Sequence, residues 1–350
     1  MTGSRESSGR LLEVEDLSCE FVSDAGIARV LQGVNLTLDK GSTLGIVGES
    51  GSGKSMLMKS ILGIAPRTAK VTGRVIFDGV DLSTMKEGER RKFLGRRIGI
   101  VFQNPMTSLN PVVRVGRQIE EAGRYHFGWA KAEGRRIAIE LMASVGLPDP
   151  EECYTQYPHQ FSGGMKQRIM IATALACKPD LLIADEATTA LDVTVQKNIL
   201  DLLQTIQQDR RMSMILVTHN LGIVAGRTDE TAVMYGGRIV ECGPTESLFL
   251  DPRHRYTEAL IGAIPRTDQP AHTRLRVIPG RPPEQLRPIP GCPFAPRCSV
   301  AEARCTESTP PVQSGADARH TFVCYVPVGT IGPGAAAATA TPAGASTEVI

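Results

Sequence analysis

The sequence predicts an α/β fold with a parallel sheet at its centre. Two observations carry that expectation. Four short runs, "STLGIV", "RIGIVF", "LLIAD" and "SMILVTH", are nearly all apolar and rich in β-branched residues, as strands buried on both faces are. Two further stretches, "GMKQRIMIATALA" and "TVQKNILDLLQTIQQ", carry apolar residues at helical spacing. With 350 residues, 41% hydrophobic and 22% charged, the chain has the balance of a protein with a real core. A formal net charge of +2 argues against a dedicated nucleic-acid binder. No apolar run reaches the roughly 18 residues of a membrane helix. The start, "MTGSRESSGR", lacks the apolar segment of a signal peptide, so a cytoplasmic chain with reduced thiols is expected.

Taken in order, residues 1–10 are small and polar and read as a loose tail, and residues 11–265 as one folded domain. After the strand "STLGIV" comes "GESGSGKS", that is Gly48, Glu49, Ser50, Gly51, Ser52, Gly53, Lys54 and Ser55. It matches G-x-x-x-x-G-K-[ST] and leads into the helix "SMLMKSILG", the setting the motif requires. The glycines let backbone N–H groups curl around phosphate oxygens. The helix, with Met56 in its first turn, directs its positive end at the same oxygens. Lys54 is expected at the β- and γ-phosphates of a nucleotide and the Ser55 hydroxyl on Mg²⁺. The stretch "KEGERRKFLGRR" reads as a solvated basic helix face, with contact to a membrane surface or a membrane-bound partner as the alternative. Further on, "LLIADE" places Asp185 and Glu186 at the C-terminal edge of a buried strand, where open parallel sheets bind ligands. Asp185 is expected to hold Mg²⁺, directly or through water, and Glu186 to polarise the attacking water as a general base. The plainer alternative is a strand-end acid that caps a neighbouring helix.

About twenty residues before those acids stands "FSGGMKQR", Phe161 to Arg168. Ser162, Gly163 and Gly164 open a helix and so form an anion site. With this stretch the chain closely resembles the ATPase subunits of ABC transporters. Their signature is usually LSGGQ; Phe161 and Met165 stand here in place of its Leu and Gln. The resemblance implies a P-loop NTPase of the ABC ATPase type: a RecA-like parallel-sheet core, an antiparallel β subdomain, and an α-helical signature subdomain at about 105–178. It implies that Ser162, Gly163 and Gly164 bind the γ-phosphate of ATP held by an opposite subunit. Gln103 in "VFQNP" matches the Q-loop glutamine, which senses Mg²⁺ and contacts the membrane subunits. "ALD", Ala190 to Asp192, matches the D-loop at the dimer interface. His219 in "LVTHN" matches the switch histidine at the γ-phosphate, and Phe21 in "SCEFV" the aromatic that stacks on adenine, unless Phe21 is only a core strand residue. Two departures, Ala187 for a usual Pro and Asn220 for a frequent Asp, remove no catalytic group. The implied set is Lys54, Gln103, Glu186 and His219 for catalysis, with Ser55, Gln103 and Asp185 for Mg²⁺.

The stretches "FQNPMTSLNP", "YPHQFSGGMKQRIMIATALA", "ADEATTALDVTVQ" and "HRYTEALIGAIP" resemble the oligopeptide/dipeptide importer ATPases, a group that also includes nickel importers. The resemblance spans about residues 11–326. It implies an ATP-hydrolysing motor at the cytoplasmic face of the cell membrane, bound to two permease subunits that contact it near the Q-loop. A second ATPase chain, commonly a different one, would complete the dimer, and a solute-binding protein would deliver cargo. Peptides are the expected cargo, with nickel or another small solute as the alternative. A non-transport ABC ATPase would bring long coiled-coil insertions or a second ATPase domain, and neither is present.

Residues 266–290, rich in Pro and Arg, read as a linker, and residues 327–350 as a disordered low-complexity tail. Between them, a small module over 291–326 carries Cys292, Cys298, Cys305 and Cys324, with five, six and eighteen residues in the gaps. Disulfides are disfavoured in a reducing compartment. Tight C-x₂₋₄-C pairs of structural zinc and the common ferredoxin run are both absent, so spacing leaves iron and zinc open. The resemblance to peptide-importer ATPases implies a [4Fe–4S] cluster, with zinc as the alternative. Arg297 and Arg304 precede two of the cysteines and are expected to lower thiolate pKa values and offset cluster charge. Cys19, Cys153, Cys177 and Cys242 are expected only to pack.

Overall fold

The computed structural model describes residues 9–23, 26–187, 192–265, 277–284 and 289–330. Most of the expected N-terminal tail, most of the linker, the tail beyond 330, and Ala190 and Leu191 of the "ALD" stretch lie outside the described residues.

The strands in chain order are β1 (Arg10–Ser23), β2 (Gly26–Asp39), β3 (Thr43–Val47), β4 (Ala69–Phe77), β5 (Val80–Asp81), β6 (Ile98–Val101), β7 (Leu181–Asp185), β8 (Ser213–Thr218), β9 (Glu230–Tyr235), β10 (Arg238–Pro244), β11 (Gln313–Ser314) and β12 (Thr321–Phe322). They form two sheets, β2-β1-β4-β5 and β11-β12-β10-β9-β3-β8-β7-β6. In the larger sheet, β6, β7, β8, β3 and β9 run parallel, and β10, β12 and β11 extend it antiparallel. The four apolar runs of the sequence are the strands β3, β6, β7 and β8. Every residue of β3, β7 and β8 is buried, because helices or the second sheet cover both faces.

The smaller sheet has one wet face. In β2, Leu31, Val34, Leu36 and Leu38 turn inward. The register with β1 shifts at several points, and at one of them Leu17 faces Val34 while Cys19 faces Leu31. β2 therefore carries one extra residue there, a bulge, and Gly33 supplies it at φ 63, a conformation costly for a side chain. Five helices lie between β6 and β7, the longest being Val115–Phe127, Lys131–Ser144 and Gly163–Ala174. Their apolar faces meet through Ile119, Ala138, Met142 and Ile169, all fully buried. No helix among the described residues is long and apolar enough to cross a membrane.

Residues 289–330 fold back onto the main sheet. β12 pairs with β10, Cys242 opposite Thr321. Cys292, Phe294, Ala295, Cys305 and Val326 join the same apolar cluster as the parallel strands. The anchor is polar and buried. Glu241 accepts hydrogen bonds from the backbone N–H of Arg253 (2.7 Å) and His254 (2.8 Å) and from His320 Nε2 (2.7 Å).

Candidate functional site

The loop Gly48–Gly53 leaves β3 and enters the helix Lys54–Leu62. A Cβ on Gly48 would lie 2.2 Å from the Met234 carbonyl oxygen, so only glycine lets the loop lie this close to β9. Lys54 is buried and folds back, its Nζ donating to the carbonyl oxygens of Gly48 (2.7 Å) and Glu49 (3.0 Å). Burial pulls its pKa down, and the nearby Glu186 and Asp185 carboxylates oppose that pull. Ser52 Oγ is buried with no hydrogen-bond partner, an orphan of the kind a phosphate oxygen would satisfy.

Asp185 ends β7, and Ser55 Oγ donates to its Oδ1 at 3.2 Å. Burial raises the Asp185 pKa. Glu186 follows in the left-handed region at φ 47, with its N–H bound to the Val217 carbonyl at 3.0 Å. For a non-glycine residue this conformation is strained, and such strain collects at functional positions. Among the described residues, three groups converge on the Glu186 carboxylate: Gln103 Nε2 donates at 2.7 Å, Lys54 Nζ lies at 3.7 Å and His219 Nδ1 at 3.6 Å. Lys54, Ser55, Gln103, Asp185, Glu186 and His219 thus meet at the C-terminal edge of the parallel strands.

The other expected site residues stay apart from that cluster. Ser162 caps the helix Gly163–Ala174, its Oγ accepting from the Met165 N–H at 3.3 Å, and Ser162 and Gly163 are exposed. Asp192 caps the helix Val193–Arg210 in the same way, accepting from the Val195 N–H at 2.9 Å. Among the described residues no hydrogen bond or ion pair joins Ser162, Gly163, Gly164 or Asp192 to the phosphate loop. Phe21 is half-buried on β1 between Ala28 and Ala69, and packs against the core of the smaller sheet.

The four cysteines line one small cavity of about 20 Å³, with His254 and Arg255 beside them. Burial pushes the Cys292 thiol up to about 11 and raises Cys298 and Cys324 as well. Among the described residues no group of three or more His, Cys, Asp or Glu side chains is set to hold a metal ion. The expectation for the two arginines is corrected. Arg297 turns away from the thiols and pairs with Glu49 of the phosphate loop, and Arg304 pairs with Glu302 and the Tyr325 carbonyl. The cation that favours the Cys298 thiolate is instead Arg255, which sequence reasoning missed. Tyr256 was missed too; its hydroxyl accepts the Glu49 N–H at 2.8 Å.

Comparison with known proteins agrees with this architecture. The family model "ABC transporter" matches residues 31–189, and "Oligopeptide/dipeptide transporter, C-terminal region" matches residues 240–305. The chain is 45% identical over 319 residues to the dipeptide transport ATP-binding protein DppD of Bacillus subtilis, covering 91% of this chain and 95% of that one. It is 42% identical over 327 residues to the oligopeptide transport ATP-binding protein OppD of Salmonella typhimurium, covering 93% and 97%. Among solved structures, the ATP-binding cassette MJ0796, a dimer in a post-hydrolysis state with ADP and phosphate, superposes with a TM-score of 0.61 at 26% identity, over 67% of this chain and 99% of that one. Fold and site together define a P-loop ATPase of the ABC type. The chain belongs to the ATP-binding subunits of ABC transporters of the oligopeptide/dipeptide importer family. Its reaction is ATP hydrolysis, ATP and Mg²⁺ are what such an ATPase takes, and membrane permeases are its partners.

Proposed function

We propose that this chain drives peptide uptake by coupling closure of an ATPase dimer, and its reopening after hydrolysis, to the permeases. The convergence of Lys54, Gln103 and His219 on a strained Glu186 carries the assignment of roles. Glu186 takes the proton of the attacking water. Lys54 leaves the Gly48 and Glu49 carbonyls to meet the β- and γ-phosphates, and Ser52 Oγ gains its missing partner. Ser55, Asp185 and Gln103 would hold Mg²⁺, which would neutralise charge on the phosphates. His219 reaches the γ-phosphate, and Phe21 offers a face to the adenine. Ser162, Gly163, Gly164 and Asp192 serve the nucleotide of the opposite subunit, a reading supported by their having no hydrogen bond or ion pair to the phosphate loop among the described residues. That subunit is a second ATPase chain, in a heterodimer. The assembly works at the cytoplasmic face of the membrane, fed indirectly by a solute-binding protein.

The closeness to dipeptide and oligopeptide transport proteins supports peptides as cargo. The test is uptake into vesicles bearing the complete transporter. Stimulation of ATP turnover by di- or oligopeptides with the matching binding protein, and none by nickel, is expected. Stimulation by nickel alone would assign the motor to metal uptake.

The cysteines have a place in the same reading. Four thiols line one cavity, with Cys292, Cys305 and Cys324 buried and Cys298 half-buried, and thiols are the donors that a metal centre of this kind takes, a [4Fe–4S] cluster first and zinc second. Its chemistry would be structural, stapling residues 291–326. The cavity has room for about one water, so the loops would have to part to admit a cluster. Protein purified without oxygen is expected to carry about four iron and four sulfide per chain, lost in Cys298→Ser. Zinc would make this a plain structural site, and metal-free protein would overturn it.

A further inference from the structure

The phosphate loop carries one acidic residue, Glu49, on a strip of chain that must receive a highly anionic ligand. All its polar groups are engaged. Its N–H donates to the Tyr256 hydroxyl at 2.8 Å, and its carbonyl accepts from Lys54 Nζ at 3.0 Å. Its carboxylate is gripped by both arms of Arg297, Nη1 to Oε2 at 2.5 Å and Nη2 to Oε1 at 3.0 Å. This is the two-pronged geometry in which an arginine cannot be replaced by a point charge.

Arg297 lies 248 residues away in the chain, and its own side chain is only 5% exposed. Its remaining donors are spoken for. Nε donates to the Pro279 carbonyl at 2.7 Å, Nη2 to the Ile278 carbonyl at 3.2 Å and Nη1 to the Tyr235 hydroxyl at 3.0 Å. The guanidinium also lies 5.8 Å from the Tyr235 ring centre and 5.9 Å from that of Phe294. Tyr235, Tyr256 and Phe294 touch one another, with ring centres 4.4 to 5.4 Å apart. A run of contacts thus leads from the cysteine cavity, through Phe294 and Arg297, to the phosphate loop. Lys54 holds the other side of Glu49 and must release it to reach a phosphate.

We propose that Arg297 is a positioning residue for the phosphate loop, acting through Glu49, so that ATP affinity depends on the C-terminal cysteine segment. By neutralising Glu49 and holding it aside, Arg297 removes a repulsion that bound phosphates would otherwise meet. Because Arg297 precedes Cys298 directly, any chemistry at that thiol acts one residue from the clamp. The proposal rests on the ATPase activity of the family.

A double-mutant cycle in the assembled, full-length transporter tests it: Arg297→Gln, Glu49→Gln and both together, with KM for ATP and kcat read separately. Arg297→Gln is expected to raise KM about tenfold with kcat far less affected, and to have no further effect in the Glu49→Gln background. A merely structural pair would lower thermal stability without this split. Equal KM for wild type and Arg297→Gln would overturn the proposal, as would the same rise in both backgrounds. If Arg297→Gln fails to fold, Arg297→Lys carries the test, since it keeps the charge and loses the fork. Its KM should rise in the Glu49 background only, and an unchanged KM would again overturn the proposal. A wild-type assembly that does not hydrolyse ATP would instead strike at the ATPase reading itself.

Discussion

At the scale of single residues, burial and pairing decide which charges matter. Lys54 is buried, with its donors spent on two loop carbonyls, so removing it leaves the phosphates without their nearest cation. Lys54→Ala is expected to lower ATP turnover by about 10²–10³-fold, the scale of losing one charge-stabilising donor. A steady-state ATPase assay checks this. Asp78 is a contrasting case, at the surface. Hydrogen bonds from Lys40 (2.7 Å) and then Arg97 (2.8 Å) hold its carboxyl below the usual range. A lowered folded-state pKa stabilises the protein above the unfolded value, near 3.9, and that stability drains away as pH falls through the folded value. Asp78→Asn keeps a residue tolerant of the local φ of 48 and removes the charge. It should cost no more than about 1 kcal/mol at pH 7. The difference from wild type should shrink below about pH 4 in denaturant titrations. A difference that grew in acid would contradict the sign.

At the scale of elements, the strands legible in the sequence were those buried on both faces. β3, β6, β7 and β8 read as unbroken apolar runs because nothing polar can face out of them. β10, β11 and β12 gave no such signal: they are short or half-exposed, and the pairing of β10 with β12 joins residues some eighty positions apart. Their anchor was equally hidden. Glu241 and His320 are ordinary polar residues until the fold buries them together. His320→Ala leaves one acceptor of Glu241 without its side-chain partner and should cost about 1–3 kcal/mol. Hydrogen exchange should quicken first in β11, β12 and the cysteine segment, whereas a loss shared evenly by β3 and β8 would place the anchor elsewhere. The phosphate loop offers a steric test. Gly48→Ala would drive a Cβ into the Met234 carbonyl, and nucleotide binding should fail before the rest of the fold melts.

At the scale of the whole molecule, we propose that one chain presents half of each of two sites. The loop, the strand-end acids, Gln103 and His219 assemble within the chain, and their motifs announced them because each is short, local and set at a strand end. Ser162 and Asp192 instead cap the helices Gly163–Ala174 and Val193–Arg210. The link between Arg297 and Glu49 was illegible because no local pattern relates residues 248 positions apart; the cysteine beside Arg297 suggested a different partner. The central claim is that Glu186 activates the water while its neighbours only bind and orient. The most direct measurement is ATP binding and ATP turnover by Glu186→Gln in the complete transporter. The account predicts that ATP stays bound, holding the dimer closed, while turnover falls by about 10²–10⁴-fold. Turnover at the wild-type rate would show that another group activates the water, and the site as assigned here would be wrong.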